Sequence, residues 1–145
     1  IVRDTVMQKD TVNPERSKHL KAAKAEETLI ATIMQNPDFY RKIKDKVSED
    51  LFVTDFNRRV WHALASRLDE GRETELSLIS AEFTPEEMGR IARFASMADR
   101  LSNTVTECDD CIKVLEKEKN KMSVSDVSQL SDDEFRNLFK NPNGS

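Results

Sequence analysis

The chain has 145 residues, 34% of them charged and only 6% aromatic, with three glycines and four prolines. That suits one domain with a modest core, and it is too poor in turn-forming and aromatic residues for a strand-rich fold. A net charge of −4 argues against a domain that grips nucleic acid by neutralising phosphates.

The charge is uneven. Residues 1–46 carry ten Lys/Arg against seven Asp/Glu, or +3, and residues 47–145 carry thirteen against twenty, or −7. A protein partner is therefore the better expectation. No run approaches the ~20 apolar residues needed to cross a bilayer, and no charged-then-apolar leader opens the chain. Two cysteines do not make a secreted disulfide framework, so a cytoplasmic setting is expected. The first residue is Ile1, and the chain reads as a piece of a longer protein.

Residues 1–12 look like a linker. Asn13-Pro14 predicts a helix start, with Asn13 as N-cap and proline in the first turn. Ala22, Ala25, Leu29, Ile30, Ile33 and Met34 then mark one apolar face, interrupted by Glu26. Asn36-Pro37 restarts the chain, and Tyr40, Ile43 and Val47 mark a short second helix. After a connection anchored by Leu51 and Phe52, the strongest stripe begins near Thr54: Phe56, Val60, Trp61, Leu64 and Leu68, ending at Gly71. Leu76, Ile79 and Phe83 indicate a short fourth helix. Thr84-Pro85-Glu86-Glu87 is a capping box that opens a fifth.

Thr104 to Glu107 is another capping box, before a long helix expected to run to about Met122 with Val105, Cys108, Ile112 and Leu115 on one face. Beyond it the residues are small and polar. Ser131 to Glu134 is a third capping box, before a short helix with Phe135, Leu138 and Phe139. The expected fold is all-α with about seven helices: a linker-like start over 1–12, a compact bundle over 13–103, and a hairpin-like tail over 104–145.

Few residues suggest chemistry. Cys108-Asp109-Asp110-Cys111 is a CxxC, but a structural zinc site needs four ligands and no second pair accompanies it. A redox CxxC belongs beside a βαβ unit. Two ordinary helix residues, at least one packed inward, are the better expectation. Trp61 reads as a core anchor and His62 as a surface neighbour. The carboxylate pairs Glu26-Glu27, Glu86-Glu87 and Asp132-Asp133 read as first-turn or exposed-face residues that favour the helix dipole or solubility. No nucleophile, ligand set or phosphate loop accompanies them, so neither catalysis nor a cofactor is expected. Lys18, Lys21 and Lys24 form a positive stripe, read first as a solvated face. The tail is different. An isolated helix pair has almost no interior, so its apolar residues either fold back on the bundle or meet a partner. The contact-prone set is Leu115, Met122, Val124, Val127, Leu130, Phe135, Leu138 and Phe139.

Two blocks carry a family resemblance over roughly residues 22–122. The first is Ala25-Glu26-Glu27-Thr28-Leu29-Ile30 with Met34-Gln35-Asn36-Pro37. The second runs from Phe52 through Asn57-Arg58-Arg59-Val60-Trp61-His62-Ala63-Leu64 to Gly71, with Asn57 standing where the pattern often has histidine. They resemble the opening shared by the N-terminal domain of the bacterial replicative helicase and the C-terminal helicase-binding domain of DnaG-type primase. The stretch from Arg72 to Phe83 departs from the helicase pattern and favours the primase member. That resemblance implies a non-catalytic domain that recruits primase to the hexameric replicative helicase. Zinc and magnesium would then belong to upstream domains of the parent nucleotidyltransferase. The alternatives are the helicase's own N-terminal collar domain, or a helical nucleic-acid-binding domain using the lysine stripe.

Overall fold

The computed structural model describes residues 9–97 and 105–128, and within them the fold is all-α, with no strand. Six α-helices are present: α1 (Leu20–Gln35), α2 (Asp38–Ile43), α3 (Asp55–Asp69), α4 (Leu76–Ile79), α5 (Pro85–Met97) and α6 (Val105–Ser128). Two single 3₁₀ turns, Glu49–Leu51 and Ser80–Glu82, sit in the connections before α3 and α5.

Helix α1 is the hub, packing chiefly on α6 and also on α5, α3 and α2. It can do so because its small residues let neighbours approach. Ala22, Ala23, Ala25 and Ala31 are buried alongside Leu29, Ile30 and Ile33, leaving Lys21 and Lys24 outside. The core joins these residues to Ile43, Val47, Phe52, Phe56, Val60, Trp61, Leu64, Ile79, Ile91 and Phe94, and to Cys108, Ile112 and Leu115 of α6. Trp61 packs at 5.3 Å from the Phe52 ring and 6.0 Å from that of Tyr40, so the second block's aromatic anchors meet around the first block's aliphatic face.

Local signals explain several boundaries. Gly71 adopts φ +70°, the left-handed turn that ends α3. The Thr84 capping box is formed both ways: the Glu87 N–H donates to Thr84 Oγ1 at 3.1 Å and the Thr84 N–H to Glu87 Oε1 at 2.9 Å.

Three expectations are corrected. The first helix begins at Leu20, not behind Asn13-Pro14, because residues 14–19 form turns. Asn13 is a buried tether instead, its amide donating to Thr54 Oγ1 at 3.2 Å. Of the linker-like start over 1–12, residues 1–8 lie outside the described residues; within the rest, Asp10 Oδ1 accepts the Val12 and Asn13 N–H groups and pairs with Arg90 at 2.8 Å. Helix α6 runs on to Ser128, since serine and aspartate are only mildly unfavourable in a helix and no glycine or proline stops the chain. Finally, the line drawn at residue 103 does not divide the core. Cys108, Ile112 and Leu115 belong to the same cluster as α1 and α3, so α6 is a wall of the bundle rather than a detached tail.

Candidate interaction surfaces

The most unusual polar feature is inside the bundle. Glu26, on the apolar face of α1, is fully buried. Its carboxylate accepts four hydrogen bonds from the start of α3: the Val53 N–H, the Thr54 N–H (3.2 Å), the Thr54 hydroxyl (2.6 Å) and the Asn57 amide (3.0 Å). Glu15 takes the next N–H, that of Asp55, at 2.7 Å. Two carboxylates from elsewhere in the chain thus cap α3, and negative charge at a helix N-terminus is favourable. Burial nevertheless dominates and pushes the Glu26 carboxyl above its ordinary value, against the Thr54, Asn57 and Val53 donors. Glu27 beside it is buried too, held by the Arg16 guanidinium at 2.7 and 3.2 Å. The expectation that this pair lies in a first turn or on an exposed face is therefore wrong: both sit in mid-helix facing protein. Glu86-Glu87 does open α5 as expected, and Glu87 also pairs with Arg59. Asp132-Asp133 lies outside the described residues.

Cys108 is buried and Cys111 half-buried against α1. Burial pushes both thiols up, Cys111 to about 12, with the nearby acidic groups adding to the effect. High-pKa thiols of this kind are poor nucleophiles and poor metal ligands at neutral pH. No cluster of three metal-binding side chains occurs among the described residues. Lys21 and Lys24 are exposed on α1 and Lys18 in the turn before it, and His62 is exposed against Glu49 while Trp61 is buried.

Of the expected contact set, Leu115, Met122, Val124 and Val127 are among the described residues. Leu115 has no exposed surface and belongs to the core, so it is corrected from a partner contact to a packing residue. Met122 is half-buried against the core. Val124 and Val127 lie in the last turns of α6. Leu130, Phe135, Leu138 and Phe139 lie outside the described residues.

Two surface clefts were not anticipated. One, about 330 Å³, has Phe83 as its apolar wall and Glu49, Arg58, Arg59, His62 and Glu82 around it. The other, about 370 Å³, lies between the segment before α1 and the outer half of α5, lined by Arg16, Glu27, Arg90, Arg93, Phe94, Ser96 and Met97. Its arginines come from separate segments, so no local run of basic residues announces it.

A family match covers residues 18–117, to the DnaB-like helicase N terminal domain. The chain belongs to that family. Membership fits the placement of both blocks that carried the resemblance, and it ties the domain to the machinery of DNA replication. It is not specific to the primase C-terminal domain. Comparison with curated proteins and with solved structures finds no match. Asn57, which stands where the resembled pattern often has histidine, donates its amide as one of the four donors to Glu26. No helix among the described residues is long and apolar enough to cross a membrane.

Proposed function

We propose that this chain is a docking module of the bacterial replicative helicase system, contributing surfaces rather than catalysis. The family match over residues 18–117 carries this reading. Its most direct form is the N-terminal collar domain of a replicative helicase, which joins copies of itself. Support comes from the build of the domain: its buried acidic group is spent on capping α3, and its thiols are packed and pushed out of the reactive range.

A second form is favoured by one observation. Helix α6 continues to Ser128, eleven residues past the end of the family match. A helix that outruns its domain suits the helicase-binding domain of primase, in which the C-terminal segment grips the hexameric helicase.

Sedimentation velocity of the chain alone and with purified replicative helicase separates the two. A collar domain self-associates at tens of micromolar, whereas a primase domain stays monomeric and co-sediments with the helicase, more weakly once residues 123–145 are deleted. A chain that does neither would sink both forms.

A further inference from the structure

We propose that the cleft beside Phe83 is a docking point for a cationic side chain, a lysine or arginine that another protein presents next to an apolar residue. The inference deepens the docking reading and rests on it, since it names the chemistry of the partner's segment.

The cleft, about 330 Å³, is walled by α3 and by the two 3₁₀ turns. Phe83, half-buried, is its apolar side. The ring is held from two directions: it meets Phe56 edge-on at 6.3 Å, and the Arg59 guanidinium lies 5.7 Å from its centre. A wall fixed in this way is in place before a ligand arrives, which lowers the cost of binding.

The two arginines do not make this an anion site. Arg58 donates Nη2 to the Phe52 carbonyl at 2.7 Å and faces Asp55 at 3.5 Å. Arg59 pairs with Glu87 at 2.5 Å and with Asp55 at 3.5 Å. Their charge is spent inside the domain. The carboxylates, by contrast, are in excess. Glu49, Asp55, Glu82 and Glu87 carry −4 against +2 from Arg58 and Arg59, leaving −2 with His62 neutral. Two of the four are open to a ligand. Glu82 is exposed and makes no hydrogen bond or ion pair among the described residues. Glu49, with 45% of its side chain exposed, faces His62, which carries charge only when protonated.

Charge and wall together select the ligand. A net −2 repels phosphates, so a nucleic-acid strand is disfavoured here. A purely apolar residue would cover free carboxylates and give them no partner. A lysine or arginine satisfies both features, with its aliphatic stem against Phe83 and its charged head toward Glu82 and Glu49. At about 330 Å³ the cleft also has room for an apolar neighbour. The surroundings act in the same direction: residues 47–145, which hold the whole cleft, carry −7, so a basic segment is drawn to this side before contact is made.

Nitrogen-15 NMR of the full chain, titrated at low salt with the peptide acetyl-Lys-Leu-Arg-Leu-amide, tests this. Signals of Arg59, His62, Glu82 and Phe83 should shift and saturate at millimolar peptide. E82Q should weaken binding about threefold and E49Q/E82Q about tenfold, the size expected for one and two exposed ion pairs. E70Q, at the far end of α3, should leave the affinity unchanged, and high salt should weaken it. An absence of shifts, or equal affinity in E82Q and E70Q, would overturn the proposal. So would acetyl-Glu-Leu-Glu-Leu-amide or spermidine moving the same signals at equal concentration, because charge or the apolar neighbour would then go unread. Cleft signals that move with protein concentration alone would assign the cleft to a second copy's Lys18-to-Lys21 segment, and the assignment to another protein would fall. None of these failures touches the docking function itself, which sedimentation with the helicase reads separately.

Discussion

The junction of α1 with α3 and the outer helix α5 are built on opposite plans. At the junction, a buried carboxylate, a buried tether at Asn13 and the rings of Phe52, Phe56 and Trp61 interlock. In α5, thirteen residues long, only Ile91 and Phe94 are buried. The first region spends its polar groups inward to fix one geometry. The second leaves most of its polar groups outward, Arg93 among them, and carries glycine in mid-helix. Inward polar pairing and outward charge are thus carried by different helices.

The sharpest way to break that contrast is at Glu26. E26A should cost about 3 kcal/mol or more in urea denaturation, because it strips the acceptor from four donors at once, two of them backbone N–H groups. Substitution of α5's exposed Arg93 by alanine should cost about 0.5 kcal/mol or less. Equal costs would mean that the junction is not the rigid part. The pH dependence has a definite sign. Because the folded carboxyl lies above its ordinary 4.5, the folded state binds the proton more tightly. The stability linked to that proton is fully present below pH 4.5 and is lost as pH rises through the raised value. E26Q, which cannot titrate, should lack this slope when its stability is followed across the same range.

Leu115 offers the next largest effect and tests whether α6 is part of the bundle. L115A should cost about 2–5 kcal/mol, as for a fully buried leucine. M122A should cost well under half of that, since Met122 is only half-buried. Similar small losses for both would restore a tail that begins at residue 104.

The sequence was most readable where a signal is local. Apolar spacing located α1 and α3, Gly71 marked the end of α3, and Thr84-to-Glu87 announced a capping box that the structure forms in full. The class of fold followed from composition. What local spacing could not show is which faces meet. Glu26 looks like an interruption of an apolar stripe until Thr54 and Asn57, about thirty residues away, are brought to it. Leu115 looks like a partner contact when α6 is read alone, and becomes core when α1 lies against it. The cleft arginines are separated by more than seventy positions, Arg16 from Arg90 and Arg93, so no window of sequence contains them. Family membership was legible in two blocks that meet in the core, although they also supply Glu27, Arg58, Arg59 and His62 to the surface clefts.

At the α5 end, Thr84 should show a moderate effect. T84A removes the hydroxyl that accepts the Glu87 N–H and should cost about 1 kcal/mol. It also removes the smallest of the influences that hold the Glu87 carboxyl below its ordinary value, while Arg59, the largest, and the backbone N–H at position 84 remain. The Glu87 carboxyl should titrate at a higher pH in T84A by NMR, while the Glu26 signal stays unmoved. A shift at Glu26 would mean that the two regions are coupled.

Gly89 gives the smallest effect and reverses the sign. It lies inside α5, and a Cβ built there meets nothing within 4 Å, so the fold has no steric need for glycine. Glycine in a helix interior costs about 0.5–1 kcal/mol relative to alanine through backbone entropy. G89A should therefore stabilise the domain by up to that amount in thermal denaturation. A residue that lowers stability with no packing reason lines a small surface cleft with Arg90 and Arg93. If G89A raises Tm and leaves helicase binding intact, α5 is merely loosely built. If Tm rises while binding falls, the space above Gly89 is used by whatever approaches the helix, and the contrast between a rigid junction and an exposed working face is functional.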